Sequence, residues 1–366
     1  MKIPLIKPYI TDEVKDEVLK VLDSGFLTEG EQTRALEEAV GQYLNVSHVV
    51  AVCNCTLGLE MALRALGIGS GDEVIVPDYT YPATASVVNI VGADIVLVDV
   101  NPSNMLIDYD VIEKAITPKT KAILPVSLFG CPLDYTRLDA LKKKYGIYVI
   151  EDAACSLGVK SQNQFAGSLA DISVFSLHPR KFITTGEGGL VTTNKPNLAH
   201  WMNSYKHFGI GESESREKTA FVQIGTNYKL SNIQAAVGLV QMKHINKLLE
   251  SRIQLAKNYK RMLLGVEGIS LPEYPENGRH SFQSFCIFVE DRNRIMERLR
   301  SKGIEVQIGT YSLHMHPAFY NNQKCRVSGS VKGSEYAYHH CLTLPMYYGM
   351  TEEIQNQVVH HLVKEL

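Results

Sequence analysis

The sequence predicts an α/β fold: a mostly parallel β-sheet covered by helices, followed by a smaller C-terminal α+β domain. Between residues 49 and 175, short strand-like runs alternate with helical patterns. These runs are continuously apolar, which is typical of strands buried on both faces. The alternation then stops, and a long helical stretch follows. We therefore predict a large domain of residues 1–245 and a smaller domain of residues 246–366.

Hydrophobic periodicity assigns the elements in chain order. Two amphipathic helices open the chain, at residues 11–23 and 31–44, with a glycine-bearing stretch between them. The alternating region comprises strands 49–53, 73–76, 93–98, 122–126, 147–151 and 172–175, and helices 57–66, 83–91, 109–115 and 133–145. The C-terminal part is predicted to contain a helical stretch at 233–263, a strand at 282–289, and helices at 292–302 and 351–363.

Composition and charge exclude several functional classes. The formal net charge of the 366 residues is −2 and no long basic run occurs, so nucleic-acid binding is not indicated. No apolar run approaches the roughly 18 residues that a membrane helix needs, and the N-terminus is too polar for a signal peptide. The seven cysteines lack the spacing of a zinc site, so no metal is expected. A reduced, cytoplasmic protein fits this pattern best.

An acid and a lysine follow two of the predicted strands directly. Ligands of open α/β sheets bind beyond the carboxyl ends of the strands, and Asp152 stands at such an end. Lys181 follows strand 172–175 beside a glycine-rich turn. A lysine there can form an imine with an aldehyde cofactor while the acid holds the pyridinium nitrogen of that cofactor. Taken singly, Asp152 could instead cap the next segment, and Lys181 could be a solvated surface residue.

Two further segments point to a cofactor with a phosphate and a planar ring. A helix opens directly after strand 49–53, where free backbone N–H groups and the helix dipole can bind phosphate. Its first residues are Asn54, Cys55 and Thr56, and Ser176 could add a hydroxyl donor. Tyr81 follows strand 73–76, where an aromatic ring can stack on a planar ring. Helix capping and ordinary packing are the alternatives for these residues.

Taken together and in this order, the segments resemble the DegT/DnrJ/EryC1/StrS group of sugar aminotransferases, which are fold-type-I pyridoxal-phosphate enzymes. The resemblance implies amino transfer from L-glutamate to a nucleotide-linked keto-sugar, by family frequency a 4-keto-6-deoxyhexose. Such a product would serve amino-sugar and cell-surface polysaccharide biosynthesis, such as lipopolysaccharide O-antigen. The matching motifs span nearly the whole chain and lie at residues 25–28, 69–77, 151–154, 178–189 and 344–347.

The same resemblance implies roles for individual residues. Lys181 would carry pyridoxal phosphate and shuttle protons, Asp152 would pair with the ring nitrogen, and Tyr81 would stack on the ring. Cofactor-binding positions of the family also match Asn54, Cys55, Thr56, Cys155 and Ser176.

Other matches concern the neighbouring subunit and the substrate. Asn227 would reach the phosphate in the neighbouring subunit, which implies a homodimer with shared active sites. His178 and His314 are candidate substrate contacts, with a structural role as the alternative for both.

Several positions depart from the family pattern or bear on the reaction. Cysteine replaces the usual glycine at position 55 and the frequent Gln or His at 155, and Lys229 replaces a common arginine. Lysine rather than histidine at 181 favours amino transfer, while a sugar dehydratase or lyase on the same fold is the alternative. For Lys181 to act as a base, we expect a buried site beside a cation to depress its pKa. The nucleotide and the aminated ring position stay open.

Overall fold

The computed structural model describes residues 2–211, 216–275 and 278–366. The α-helices of these ranges are α1 (Asp12–Ser24), α2 (Glu31–Leu44), α3 (Cys55–Ala65), α4 (Pro82–Ile90), α5 (Tyr109–Ala115), α6 (Tyr135–Tyr145), α7 (Pro196–Lys206), α8 (Asn232–Lys243), α9 (Ile245–Leu263), α10 (Arg292–Ser301), α11 (Pro317–Tyr320), α12 (Lys332–His340) and α13 (Glu352–Val363). The strands are β1 (His48–Val52), β2 (Glu73–Pro77), β3 (Tyr79–Thr80), β4 (Asp94–Val98), β5 (Thr120–Ile123), β6 (Tyr148–Asp152), β7 (Lys160–Ser161), β8 (Gln164–Phe165), β9 (Ile172–Ser176), β10 (Gly189–Thr193), β11 (Ile269–Ser270), β12 (Gly278–Arg279), β13 (Phe285–Val289), β14 (Gln307–Ile308), β15 (Tyr311–Ser312), β16 (Cys325–Val327) and β17 (Cys341–Leu344).

The largest sheet in the described ranges has eight strands in the order β1-β10-β9-β6-β5-β2-β4-β16. All neighbouring pairs from β9 to β16 are parallel, and β10 runs antiparallel to β9 and to β1. Successive side chains of β2 enter different cores: Val74 and Val76 pack with α3 and α4, and Ile75 packs with α5 and α6. The predicted α/β architecture, with helices on both faces of a mostly parallel sheet, is confirmed.

This topology brings the ends of several strands to one edge of the sheet. Strands β2, β6 and β9 are parallel, and β1 has the same direction because two antiparallel pairings separate it from β9. Asp152 ends β6, Ser176 ends β9, and Asn54 follows β1 closely. The sheet therefore gathers the residues that the sequence singled out along its carboxyl edge.

A second sheet forms the core of the C-terminal part. Its strand order is β11-β13-β17-β14 with antiparallel pairs, and α9, α10 and α13 supply apolar side chains to its core. Elements from both sides of residue 245 share pairings, because β16 lies against β4 and β15 against β3. The division of the chain after residue 245 stays a prediction.

Several elements of the structure differ from the sequence predictions or were not predicted, among them α7, α12 and β17. The helical stretch 233–263 is two helices, because His244 leaves the helical region (φ −106°, ψ 8°) between α8 and α9. Strand β10 was not predicted, because its first residue belongs to the glycine-rich motif that we interpreted as a turn. No helix in the described ranges is long and apolar enough to cross a membrane.

Candidate active site

A cavity of about 470 Å³ lies between the carboxyl edge of the large sheet and the C-terminal sheet. Every site residue predicted from the sequence lines it, apart from Asn227 and His314. Asp152, Lys181 and the first turn of α3 thus face the same cavity. Its volume falls in the range of about 300–1,000 Å³ that is usual for small-molecule sites.

The acid of this cavity is buried and hydrogen-bonded. One carboxylate oxygen of Asp152 accepts a bond from the Thr84 hydroxyl (2.8 Å), and the other accepts one from the Ala154 N–H (3.1 Å). Burial raises the pKa of Asp152, while these donors and the charge of Lys181 act in the opposite direction. Thr84 comes one helical turn after Tyr81, but the sequence analysis did not identify it.

The lysine lies beside a thiol. The backbone N–H of Lys181 donates to the carbonyl of His178 (2.8 Å), and its Nζ lies 3.1 Å from Sγ of Cys155. Burial disfavours the charged amine, but Cys155, Cys55 and Asp152 outweigh burial and raise the pKa of Lys181. The expected depression of this pKa was therefore wrong for the chain alone, because the groups that act on the amine are thiols and a carboxylate rather than a cation.

The N-terminus of α3 also borders the cavity. Asn54 caps the helix by accepting a hydrogen bond from the Leu57 N–H (2.9 Å). The N–H groups of Cys55 and Thr56, which open the helix, have no intrahelical acceptor. Cys55 is accommodated at the usual glycine position because its thiol lies against the Val174 carbonyl (3.8 Å), and burial raises the pKa of that thiol well above its usual value.

A glycine of the Gly-rich motif allows this helix end to sit so close to the sheet. A Cβ on Gly189 would lie 2.7 Å from the Asn54 carbonyl carbon and 2.8 Å from the Cys55 nitrogen. Real Cβ atoms essentially never approach backbone atoms that closely. The first residue of β10 must therefore lack a side chain if the first turn of α3 is to reach the cavity.

The cavity lining also includes three further residues that were predicted from the sequence, Tyr81, Ser176 and His178. Tyr81 is 64% exposed and precedes α4. The Ser176 hydroxyl accepts a bond from the His178 N–H (3.3 Å), and burial lowers the pKa of His178. An amine, a carboxylate, an aromatic ring and a helix N-terminus with hydroxyl groups therefore meet in one cavity. This set fits pyridoxal phosphate, which carries an aldehyde, a ring nitrogen and a phosphate.

Two predicted residues lie outside the cavity lining of the single chain. The Asn227 side chain accepts a bond from Lys229, and Asn227 forms a backbone bridge with His207. His314 Nδ1 lies 2.6 Å from a carboxylate oxygen of the fully buried Asp78, and its backbone N–H also binds that carboxylate (2.8 Å). His314 thereby anchors the segment after β15 beside β3.

The far wall of the cavity comes from residues that the sequence analysis did not single out as site residues. Arg180 and Gln307 are hydrogen-bonded there (3.3 Å), and Arg252 and Gln283 also line the cavity. Three of these four residues belong to the C-terminal part of the chain, where the periodic pattern gave no indication of a site. Only the position of Arg180 directly before Lys181 could have indicated from the sequence that a residue of this wall belongs to the site.

Comparisons with known proteins identify the family. The family model of the DegT/DnrJ/EryC1/StrS aminotransferases matches residues 8–363. An uncharacterized protein of Methanocaldococcus jannaschii, MJ1066, is 31% identical over 99% of this chain and 97% of its own length. Among solved structures, a DegT DnrJ EryC1 StrS aminotransferase from Brucella abortus has a TM-score of 0.90 and 32% identity, over 96% of this chain and 94% of its own.

A third comparison bears on the cofactor. The putative sugar aminotransferase Spr1654 from Streptococcus pneumoniae, in its PMP form, has a TM-score of 0.93 and 29% identity, and the match covers 99% of this chain and 98% of that chain. A PLP form of the same protein has also been solved. The fold agrees with these matches, and the cofactor is pyridoxal phosphate. The chain belongs to the DegT/DnrJ/EryC1/StrS aminotransferase family and is a pyridoxal-phosphate-dependent transaminase.

Proposed function

We propose that this aminotransferase moves an amino group from L-glutamate to a nucleotide-linked keto-sugar. The observation that carries the proposal is the convergence of Lys181 and Asp152 on one cavity. The similarity to a putative sugar aminotransferase supports a sugar as the acceptor. A 4-keto-6-deoxyhexose is the acceptor that we infer, and the product would enter the synthesis of a cell-surface polysaccharide. A cytoplasmic location stays a prediction.

The residues of the cavity have distinct tasks in this reaction. Pyridoxal phosphate, when bound, stores the nitrogen between the two half-reactions and accepts the electron pair released at carbon. Asp152 keeps a negative charge for the ring nitrogen. The first turn of α3, with Thr56 and Ser176, would hold the phosphate. Lys181 is the amine that exchanges with the substrate amine and then moves a proton to or from the reacting carbon.

The proposal also includes a homodimer, because apolar side chains are exposed around Asn227. Phe221, Val222 and Ile224 are 69, 67 and 94% exposed, and the Phe208 N–H donates to the Thr226 carbonyl beside them. Monomeric proteins rarely leave a contiguous apolar patch of this kind in water. A second copy of the chain would cover the patch and would bring Asn227 towards the neighbouring cavity, as the family resemblance implies.

Incubation with defined substrates tests the proposed reaction. The PLP-loaded protein is given L-glutamate and, in turn, dTDP-, UDP- and GDP-linked keto-sugars, and the products are identified by mass spectrometry and NMR. We expect one nucleotide keto-sugar to gain an amino group while an equal amount of 2-oxoglutarate forms, and Lys181→Ala to abolish both. Loss of water from the sugar without formation of 2-oxoglutarate would instead establish a dehydratase.

A further inference from the structure

Two arginines, one on each side of residue 245, bring positive charge to the cavity. Arg180 and Arg252 both line the cavity. In the described parts of the chain, the arginine–carboxylate ion pairs involve other arginines, and Glu187, which also lines the cavity, pairs with neither. Arg252 is only 3% exposed. A buried charge without a counter-ion is costly, so an anion that enters this cavity is favoured.

Hydrogen bonds join the two arginines into one rigid unit. Arg252 donates to the backbone carbonyls of Phe282 (2.8 Å) and Gln283 (2.6 Å). The Gln283 side-chain amide donates in turn to the backbone carbonyl of Arg180 (2.7 Å), and its oxygen accepts from the Phe182 N–H. Gln283 therefore fixes the backbone on which Arg180 and Lys181 stand.

The side chain of Arg180 keeps donors available for a ligand. One Nη donates to the neutral amide oxygen of Gln307 (3.3 Å), whereas a guanidinium has five N–H donors. Its remaining donors can take a carboxylate in the two-point geometry that suits arginine. Arg252, by contrast, donates from Nε and one Nη to backbone carbonyls over short distances. Its contribution to ligand binding is therefore chiefly its charge.

We propose that Arg180, supported by the buried charge of Arg252, binds a carboxylate of the amino donor and selects dicarboxylic amino acids. The inference rests on the proposed amino transfer and deepens it. Arg180 directly precedes Lys181 and both residues line the cavity, so a donor held by Arg180 lies in the cavity of the lysine that its amine must displace. The phosphate of the cofactor is assigned to the α3 end of the cavity, which leaves this wall for the substrate.

Binding of glutarate to the PLP-loaded protein tests the inference without turnover. Glutarate has the two carboxylates of the donor and no amine. Its affinity is measured by calorimetry for wild type, Arg180→Ala, Arg180→Lys and the control Arg137→Ala, whose guanidinium pairs with Asp110 at the surface. We expect Arg180→Ala to weaken glutarate about tenfold to a hundredfold, Arg180→Lys to weaken it less, and Arg137→Ala to leave it unchanged.

Nucleoside diphosphates provide the second arm of the experiment. We expect dTDP and UDP to bind wild type and Arg180→Ala equally. Unchanged glutarate affinity in Arg180→Ala, or a loss of diphosphate affinity as large as the loss for glutarate, would overturn the inference. The proposed function fails separately, if wild type transfers no nitrogen from glutamate to any keto-sugar.

Discussion

Among single residues, Thr84 has the most direct influence on the charge of Asp152. Its hydroxyl is a hydrogen-bond donor to the buried carboxylate, and it also lies 3.0 Å from the Thr80 hydroxyl. Burial alone favours the protonated acid, which could not pair with a protonated ring nitrogen. Thr84 therefore favours the ionised form of Asp152, against the effect of burial.

Replacement of Thr84 by valine should change the pH dependence of cofactor binding. The pKa of Asp152 is already raised by burial, and loss of the Thr84 bond raises it further. Because the ionised carboxylate binds the cofactor, affinity falls as the pH drops through this pKa. We expect Thr84→Val to move the acid limb of PLP affinity upward by about one pH unit. Absorbance titrations with PLP between roughly pH 4 and pH 8 measure this pH dependence of affinity.

A buried threonine outside the cavity provides the control for this experiment. The Thr33 hydroxyl donates to the Leu230 carbonyl (3.3 Å), far along the chain from the site. Thr33→Val should leave the acid limb where wild type has it. If PLP affinity fell at the same acid pH in Thr84→Val and Thr33→Val, the influence assigned to Thr84 would be wrong.

Among secondary-structure elements, the contact between α3 and β10 determines where a phosphate can bind. The sequence indicated α3 and its opening residues, because a strand followed by a polar cap and an apolar helix is a local pattern. It did not reveal β10, because the requirement for Gly189 comes from atoms more than 130 residues away in the chain. Local patterns could predict the elements, but not this close approach between them.

The change Gly189→Ala should separate these two elements. The added methyl group meets backbone atoms of Asn54 and Cys55, which cannot rotate away as a side chain would. We expect a loss of about 1–3 kcal/mol in the free energy of unfolding, together with weaker PLP binding. Urea denaturation and absorbance titration measure the two effects.

Gly69→Ala is the matched control, because the nearest atom to its Cβ would be the Val91 oxygen at an ordinary 3.5 Å. It should leave both the unfolding free energy and PLP affinity near the wild-type values. Equal behaviour of the two variants would contradict the role given to Gly189.

The whole molecule places the cavity between two sheets whose residues are distant in sequence. Its cofactor side comes from the edge of the parallel sheet, which the β-α alternation predicted. Its far wall comes from α9 and the C-terminal sheet, and no local pattern identified Arg252, Gln283 or Gln307. These residues reach the site only through tertiary packing, so the sequence could predict the acid and the lysine but not their opposite wall.

A charged residue in the apolar patch should dissociate the proposed homodimer. Ile224 is 94% exposed in the single chain, so Ile224→Asp leaves the fold intact while opposing burial against a second copy. We expect light scattering to give the mass of one chain and amino transfer to fall at least tenfold. The control is Leu264→Asp, at an exposed leucine (80%) directly after α9, which should remain dimeric and active. A monomeric wild type would contradict the proposal.

Chemical trapping of the cofactor tests the central claim most directly. The claim is that Lys181 is the amine that holds pyridoxal phosphate while Asp152 faces the same cavity. Borohydride reduction of the PLP-loaded protein, followed by proteolysis and mass spectrometry, shows which lysine carries the cofactor. We predict that the added mass lies on Lys181 alone and is absent from Lys181→Ala. Stoichiometric labelling of a different lysine, or of none, would contradict the account.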